Sequence, residues 1–201
     1  MNVRGDQLVF PAVFMRGGTS KALIFKDADV PKDDEKRKRL FLAALGSPDP
    51  FGRQLDGLGG GLSSLSKICI VGPPSLTDAD VDYTFAQVGI RDRTVDYGGN
   101  CGNMTSAIGP FAVDEGLVEA PSDGFASVRI HNTNTNKIIL STFPVRNCCA
   151  VVEGDVSIIG VAGRGAGIRL DFMAPGGTKG RGVLPAGEPL TLLELEAGAS
   201  V

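Results

Sequence analysis

The sequence predicts an α+β fold in which a sheet wraps a helix. Strand-like segments outnumber helical ones, and short Gly, Asn, Asp and Pro turns separate them in place of the helical crossovers of a βαβ sheet. Glycine supplies 28 of 201 residues, about twice ordinary usage and without a collagen period. So much glycine implies tight turns and surfaces lined by backbone.

The elements follow in chain order. Leu8 to Met15 reads as an opening strand, followed by the glycine turn Arg16-Gly17-Gly18-Thr19-Ser20-Lys21 and a second strand, Ala22 to Phe25: a hairpin with a functional tip. Asp33 to Leu45 has an acidic first turn, basic residues after it and an apolar end, with Gly46 and then Pro48 beyond, which predicts a helix. Arg53 to Ser66 is a Gly/Ser-rich loop, and Lys67-Ile68-Cys69-Ile70-Val71 is a buried strand running into Gly72-Pro73-Pro74. Tyr83 to Val88 is another strand. Met104 to Glu115 is helical, with Gly109-Pro110 expected to end or kink its first part and Gly116 to stop it. Strands are then expected at Ser127–Ile130, Lys137–Thr142, Val145–Val152 and Gly167–Phe172, and the stretch from Gly176 to Gly182 has linker composition.

A net charge of −3 and a pI near 5.2 argue against a nucleic-acid surface. The basic run Lys36 to Arg39 follows Asp33, Asp34 and Glu35 and reads as a solvated helix face. No apolar run is long enough to span a bilayer, and the N-terminal residues lack a signal-peptide core, so a cytoplasmic or organelle-matrix enzyme is expected. The four cysteines lack small-domain spacing and should stay reduced; Cys69, Cys148 and Cys149 lie in apolar strand contexts and read as core thiols. The single histidine, His131, excludes a His-based metal cluster and a Ser-His or Cys-His triad, so no metal is expected. Gly163 to Gly167 lacks the spacing of a dinucleotide turn and leads into a strand.

The most informative segment is Asp96 to Ala107, in which Cys101 stands between two Gly-Asn pairs, Gly99-Asn100 and Gly102-Asn103, where a helix begins. A helix start aims free N–H groups and positive dipole at what docks there, and the same field favours a thiolate. One short segment is thereby suited to bind an acid and move its proton. The hairpin tip, Arg16 to Lys21, offers consecutive amides, hydroxyls and basic charge to a carboxylate. The loop from Asp56 to Ser66 leads flexible backbone and three serines into Lys67, and a lysine opening an apolar strand is easily desolvated, which moves it toward general-base behaviour. Asn132 to Asn136 presents amides and hydroxyls at a strand end, fit for an Asx-rich turn or for substrate hydrogen bonds.

Together and in this order, Met15 to Lys21, Asp56-Gly57 through Ser63-Ser64 to Ser66-Lys67, Gly98 to Asn103 and Asn132 to Thr135 resemble the PrpF family of 2-methylaconitate, methylitaconate and aconitate isomerases and oxalomesaconate tautomerases. The resemblance continues through Gly165 to Phe172 and Gly177-Thr178-Lys179 to Gly187. It implies a diaminopimelate epimerase-like fold, a curved sheet or barrel around a central helix in each of two domains, with the active-site cleft between them and no cofactor. By motif match Lys67 and Cys101 would be the acid/base residues. Arg16, Gly17, Gly18, Thr19, Ser20, Ser64, Ser66, Asn100, Gly102, Asn103, Asn132 and Thr133 would hold the carboxylates.

Family members are about twice this length, so residues 1–175 are expected to form an N-terminal epimerase-like domain and 176–201 a linker and the start of an incomplete second one. Leu62 and Leu65 also depart from the smaller residues expected beside the serines. The activity implied is removal and return of a proton on an unsaturated tricarboxylate, moving or rotating its double bond. The alternatives are a catalytically silent half-domain that binds carboxylates or a partner polypeptide, and a cysteine-dependent racemase or epimerase. A half-molecule should expose apolar surface and associate through it, as a homo-oligomer or with a complementary C-terminal domain.

Overall fold

The computed structural model describes residues 2–176 together with Leu184, Gly187 and Glu188. The expected linker and beginning of a second domain, including Thr178 and Lys179, therefore lie almost wholly outside the described residues.

The elements are β1 (Asn2–Arg4), β2 (Gln7–Val9), β3 (Val13–Gly17), β4 (Ser20–Lys26), α1 (Asp34–Leu45), β5 (Lys67–Gly72), β6 (Val81–Val88), β7 (Val95–Asp96), α2 (Gly102–Asp114), β8 (Asp123–Asn132), β9 (Lys137–Arg146), β10 (Cys149–Ala150) and β11 (Arg169–Phe172). β1 and β2 form a separate hairpin. The main sheet runs β10-β9-β8-β6-β5-β4-β3, with β7 beside β6 and β11 beside β9. Its pairs are antiparallel except β4 with β5 and β6 with β8. The sheet curls around α2, which touches strands from β3 to β11, so the α+β expectation of a sheet around a central helix is met.

Strand alternation divides the apolar residues into two cores. Ala22, Ile24, Cys69, Val71, Tyr83, Phe85, Val128, Ile130, Ile139 and Phe143 face inward onto Met104, Ile108 and Phe111 of α2. Leu23, Phe25, Ile68, Ile70, Ala86 and Val88 face outward and are covered by Phe41, Leu42 and Leu45 of α1. β4, β5 and the end of β6 are thus apolar on both faces, as strands between two helices require. α1 is capped as its sequence implies: the Asp33 carboxylate accepts from Lys36 N at 2.9 Å, and Gly46 ends it in the left-handed region at φ 74°.

Four expectations need correction. The opening strand is two, because Pro11 falls between β2 and β3 and cannot donate to a ladder. Pro110 does not end the second helix, which runs from Gly102 to Asp114 with nine buried residues; packing on all sides outweighs one missing backbone bond. Gly109 beside it lets β9 cross closely, since a Cβ there would lie 2.6 Å from Ser141 Oγ. Lys137–Thr142 and Val145–Val152 are not separate strands. β9 continues through Pro144, and Asn147 and Cys148, both at positive φ, turn it into β10. That turn exposes Cys148 and Cys149, which are not core thiols; Cys69 is.

Apolar side chains stand exposed in the stretch after β10, including Val152, Val156, Ile158 and Ile159, the last 99% exposed. No helix among the described residues is long and apolar enough to cross a membrane.

Candidate functional site

The site is built where the inward-facing rows of β4, β5 and β6 meet the start of α2. On β5 the inward row is Lys67, Cys69, Val71, so Lys67 points toward the helix, as does Ser20 on the row Ser20, Ala22, Ile24. Ile68 pairs with Leu23 in the parallel β4–β5 ladder, which sets Lys67 level with Ala22, two residues along β4 from Ser20. On the other side Lys67 pairs with Gln87.

Lys67 is only 7% exposed. Its ammonium donates to Gln87 Oε1 at 2.6 Å and lies 5.0 Å from the centroid of the Phe85 ring. The Gln87 amide donates to the carbonyls of Ser66 and Ser63, at 2.8 and 3.1 Å, which fixes the acceptor that holds the lysine.

Cys101 is the N-cap residue of α2, half-buried, and its carbonyl accepts from Thr105 N at 2.9 Å. Its side chain does not cap the helix, so the sulfur is left to face Ser20, 4.0 Å from Sγ to Oγ. Lys67 and Cys101 both reach the buried Cys69 thiol electrostatically. Burial pushes Cys69 up to about 12, with Cys101 adding to the rise and Lys67 opposing it. Burial likewise drives Tyr83 well above its ordinary value, with Cys69 and Cys101 adding to the effect. Neither Cys69 nor Tyr83 is a proton carrier near neutral pH.

The hairpin tip rests on the first turn of α2. Asn103 Nδ2 donates to Thr19 Oγ1 at 3.0 Å, and the approach is so close that a Cβ on Gly17 would lie 2.4 Å from the Asn103 carbonyl oxygen. A Cβ on Gly18, at φ 52°, would meet Asn103 Oδ1 at 2.3 Å. Gly17 thus serves contact between two backbones, and Gly18 makes room for the Asn103 side chain.

Behind Cys101 a buried amide network sets the turn. Asn132, fully buried, donates to Asn100 Oδ1 at 3.4 Å, and its own Oδ1 accepts from the Thr135 amide and hydroxyl at 3.0 and 2.6 Å. Thr105 Oγ1 donates to the same Asn100 oxygen at 3.3 Å. Asn134 braces the next residues through the carbonyls of Phe85 and Tyr97, both at 2.9 Å.

Cys101, Ser20, Gly17, Gly18, Thr19, Gly102 and Asn103 thus meet at the start of α2, with Asn100 and Asn132 beneath them, and Lys67 stands one strand across from β4 on the same inner face, level with Ala22. Ser64 lies half-buried in the 3₁₀ turn Ser63–Leu65 just before β5. Three expected contacts lie on the outer face instead. Ser66 is one residue from Lys67 and so faces the outer side, where its hydroxyl donates to the Val88 carbonyl and accepts from Gln54. Arg16 sits on the outer row of β3 and donates to the Gly18 carbonyl at 2.7 Å. Thr133 is exposed, with its hydroxyl 2.6 Å from that of Thr84 on the outer face.

His131 belongs to its strand, with Nδ1 2.9 Å from Asp82 Oδ1 and Nε2 3.0 Å from Asn136 Oδ1. Asp82 is held below its ordinary carboxyl value: burial opposes ionisation, but hydrogen bonds from Ser75 and His131 outweigh it. Among the described residues no His, Cys, Asp and Glu cluster is arranged to hold a metal ion.

A curved sheet around a buried helix makes this an α+β domain of the diaminopimelate epimerase-like kind. The chain belongs to the PrpF family, whose family model, described as PrpF protein, matches residues 7–200. It is 46% identical to 3-methylitaconate isomerase of Eubacterium barkeri over 193 residues, covering 96% of this chain and 50% of that protein. It is 42% identical to 4-oxalomesaconate tautomerase of Pseudomonas putida over 188 residues (94% and 51%) and 40% identical to 2-methyl-aconitate isomerase of Cupriavidus necator over 201 residues (95% and 51%). The crystal structure of a methylitaconate-delta-isomerase superposes with a TM-score of 0.86 at 46% identity, over 94% of this chain and 48% of that one. The chain spans about half the length of the curated relatives it matches.

Proposed function

We propose that this chain forms one wall of the active site of a cofactor-independent isomerase, working in the cytoplasm or an organelle matrix, that shifts or rotates the double bond of an unsaturated tricarboxylate of the 2-methylaconitate or aconitate type. What supports the reading is that Cys101, at the start of α2, faces Ser20 at 4.0 Å, while Lys67 stands on the inner row of β5, level with Ala22 and two residues along β4 from Ser20. A proton on carbon beside a carboxylate and conjugated with a double bond is removed by one member of this pair, leaving a delocalised carbanion. Return of a proton at another carbon moves the double bond, and rotation within the delocalised intermediate changes its geometry. The start of α2 and the amides of the hairpin tip stabilise the carboxylate charge that grows meanwhile. Relatives named as isomerases of methylitaconate and methylaconitate support this class of substrate.

Incubation with a panel of unsaturated di- and tricarboxylates in deuterated water tests the proposal. Deuterium should enter at the allylic carbon of at least one tricarboxylate; a panel left wholly unlabelled contradicts it.

The exposed apolar residues around Val152 and Ile159 favour one further reading, in which a complementary polypeptide packs on them and supplies the second cleft wall. In that case turnover appears only when both chains are mixed.

A further inference from the structure

Lys137 opens the inward row of β9, which continues through Ile139, Ser141, Phe143 and Val145 into the core around α2. It stands directly across the β8–β9 ladder from Asn132, the residue that donates to Asn100 beneath Cys101. Sheet geometry thus delivers a second inward-facing lysine toward the same helix start by a different strand.

Lys137 lines a hollow of about 170 Å³ with Asn100, Thr135, Ile139, Phe172 and Met173. Its lining combines the polar Asn100, the neighbour of Cys101, and Thr135 with the apolar Ile139, Phe172 and Met173. Ion pairs among the described residues engage Lys26, Lys32, Arg37, Arg129, His131 and Arg169, and none engages Lys137. No hydrogen bond from its ammonium is made there either, whereas the ammonium of Lys67 is held by Gln87. A half-buried cation beside amide and hydroxyl groups, without an anion of its own among the described residues, is matched to an anionic ligand group.

Resting on the site reading proposed above, we infer that Lys137 is a specificity-determining residue that receives the substrate carboxylate farthest from the reacting carbon. Ile139, Phe172 and Met173 flank the carbon arm that carries it. The hollow therefore distinguishes tricarboxylates, which place a charge on Lys137, from dicarboxylates, which lack the third arm.

The test is calorimetric titration of the chain, wild type and variant, with aconitate and with itaconate. Lys137→Gln should weaken aconitate at least about tenfold, the factor carried by one charge-assisted hydrogen bond, and leave itaconate within about twofold. Lys137→Arg, which keeps the charge, should preserve most of the preference. Equal weakening of both ligands, or none, overturns the role of Lys137 while the main site stands. A wild-type chain that binds neither acid overturns the site reading itself, and this inference with it.

Discussion

Lys67→Ala should reduce deuterium uptake by the substrate to background, a loss of at least about 10² to 10⁴, the share contributed by a positioned acid/base. The expectation rests on how the lysine is held. Its inward direction is set by the alternation of β5, its ammonium by Gln87 Oε1, and Gln87 by two backbone carbonyls that survive the substitution. Folding should therefore persist, at a cost of about 1 to 3 kcal/mol for the acceptor left without its charged donor, so the melting curve remains cooperative. Mass spectrometry of the recovered acid reads the exchange. Undiminished exchange by a folded Lys67→Ala protein would remove the lysine from the chemistry.

The second large effect is on assembly of the site. In Gly17→Ala the new methyl would sit 2.4 Å from the Asn103 carbonyl oxygen and 3.0 Å from Met104 Cα, both main-chain atoms that cannot swing aside. The hairpin must lift off the helix start, costing about 1 to 3 kcal/mol as in other overpacked positions and separating Ser20 from Cys101. Carboxylate binding should fall with stability. Gly99→Ala is the control, since a Cβ at Gly99 meets nothing within 4 Å, and its urea midpoint should stay close to that of the wild type. Equal midpoints for the two variants would show that the hairpin contact is not close.

Much of the fold was legible because local signals agree with tertiary structure. Asp33 and Gly46 bracket α1 as caps, and the glycine turn after Met15 does close a hairpin. Failures came where packing or register overrides a local rule. Pro144 looks like a strand breaker, yet its carbonyl accepts from Val151 N, so its missing N–H faces the edge of β9 where the short strands β10 and β11 leave a gap. Pro110 is tolerated because α2 is enclosed by the sheet.

The site was legible as residue types and only partly as geometry. Neighbouring residues on a strand face opposite sides, so Ser66 and Lys67 could not both line one hollow, nor could Arg16 and Gly17, or Asn132 and Thr133. That much alternation alone implies. Gln87 was missed because its part comes from the strand opposite, and its pairing with Lys67 across 20 residues leaves no mark in a single segment. Lys137 pairs with Asn132 only five residues away, across the turn that the sequence marks as Asx-rich.

The account stands on Lys67 and Cys101 sharing one carboxylate-sized site, and alkylation of the chain with iodoacetamide, mapped by peptide mass spectrometry, tests that directly. Cys101 should be labelled, with exposed Cys148 and Cys149 as internal references and buried Cys69 inert. Aconitate should slow labelling at Cys101 alone, and Lys67→Ala should abolish the protection. Labelling of Cys101 at one rate with and without the acid, or protection that persists without the lysine, would contradict a shared site.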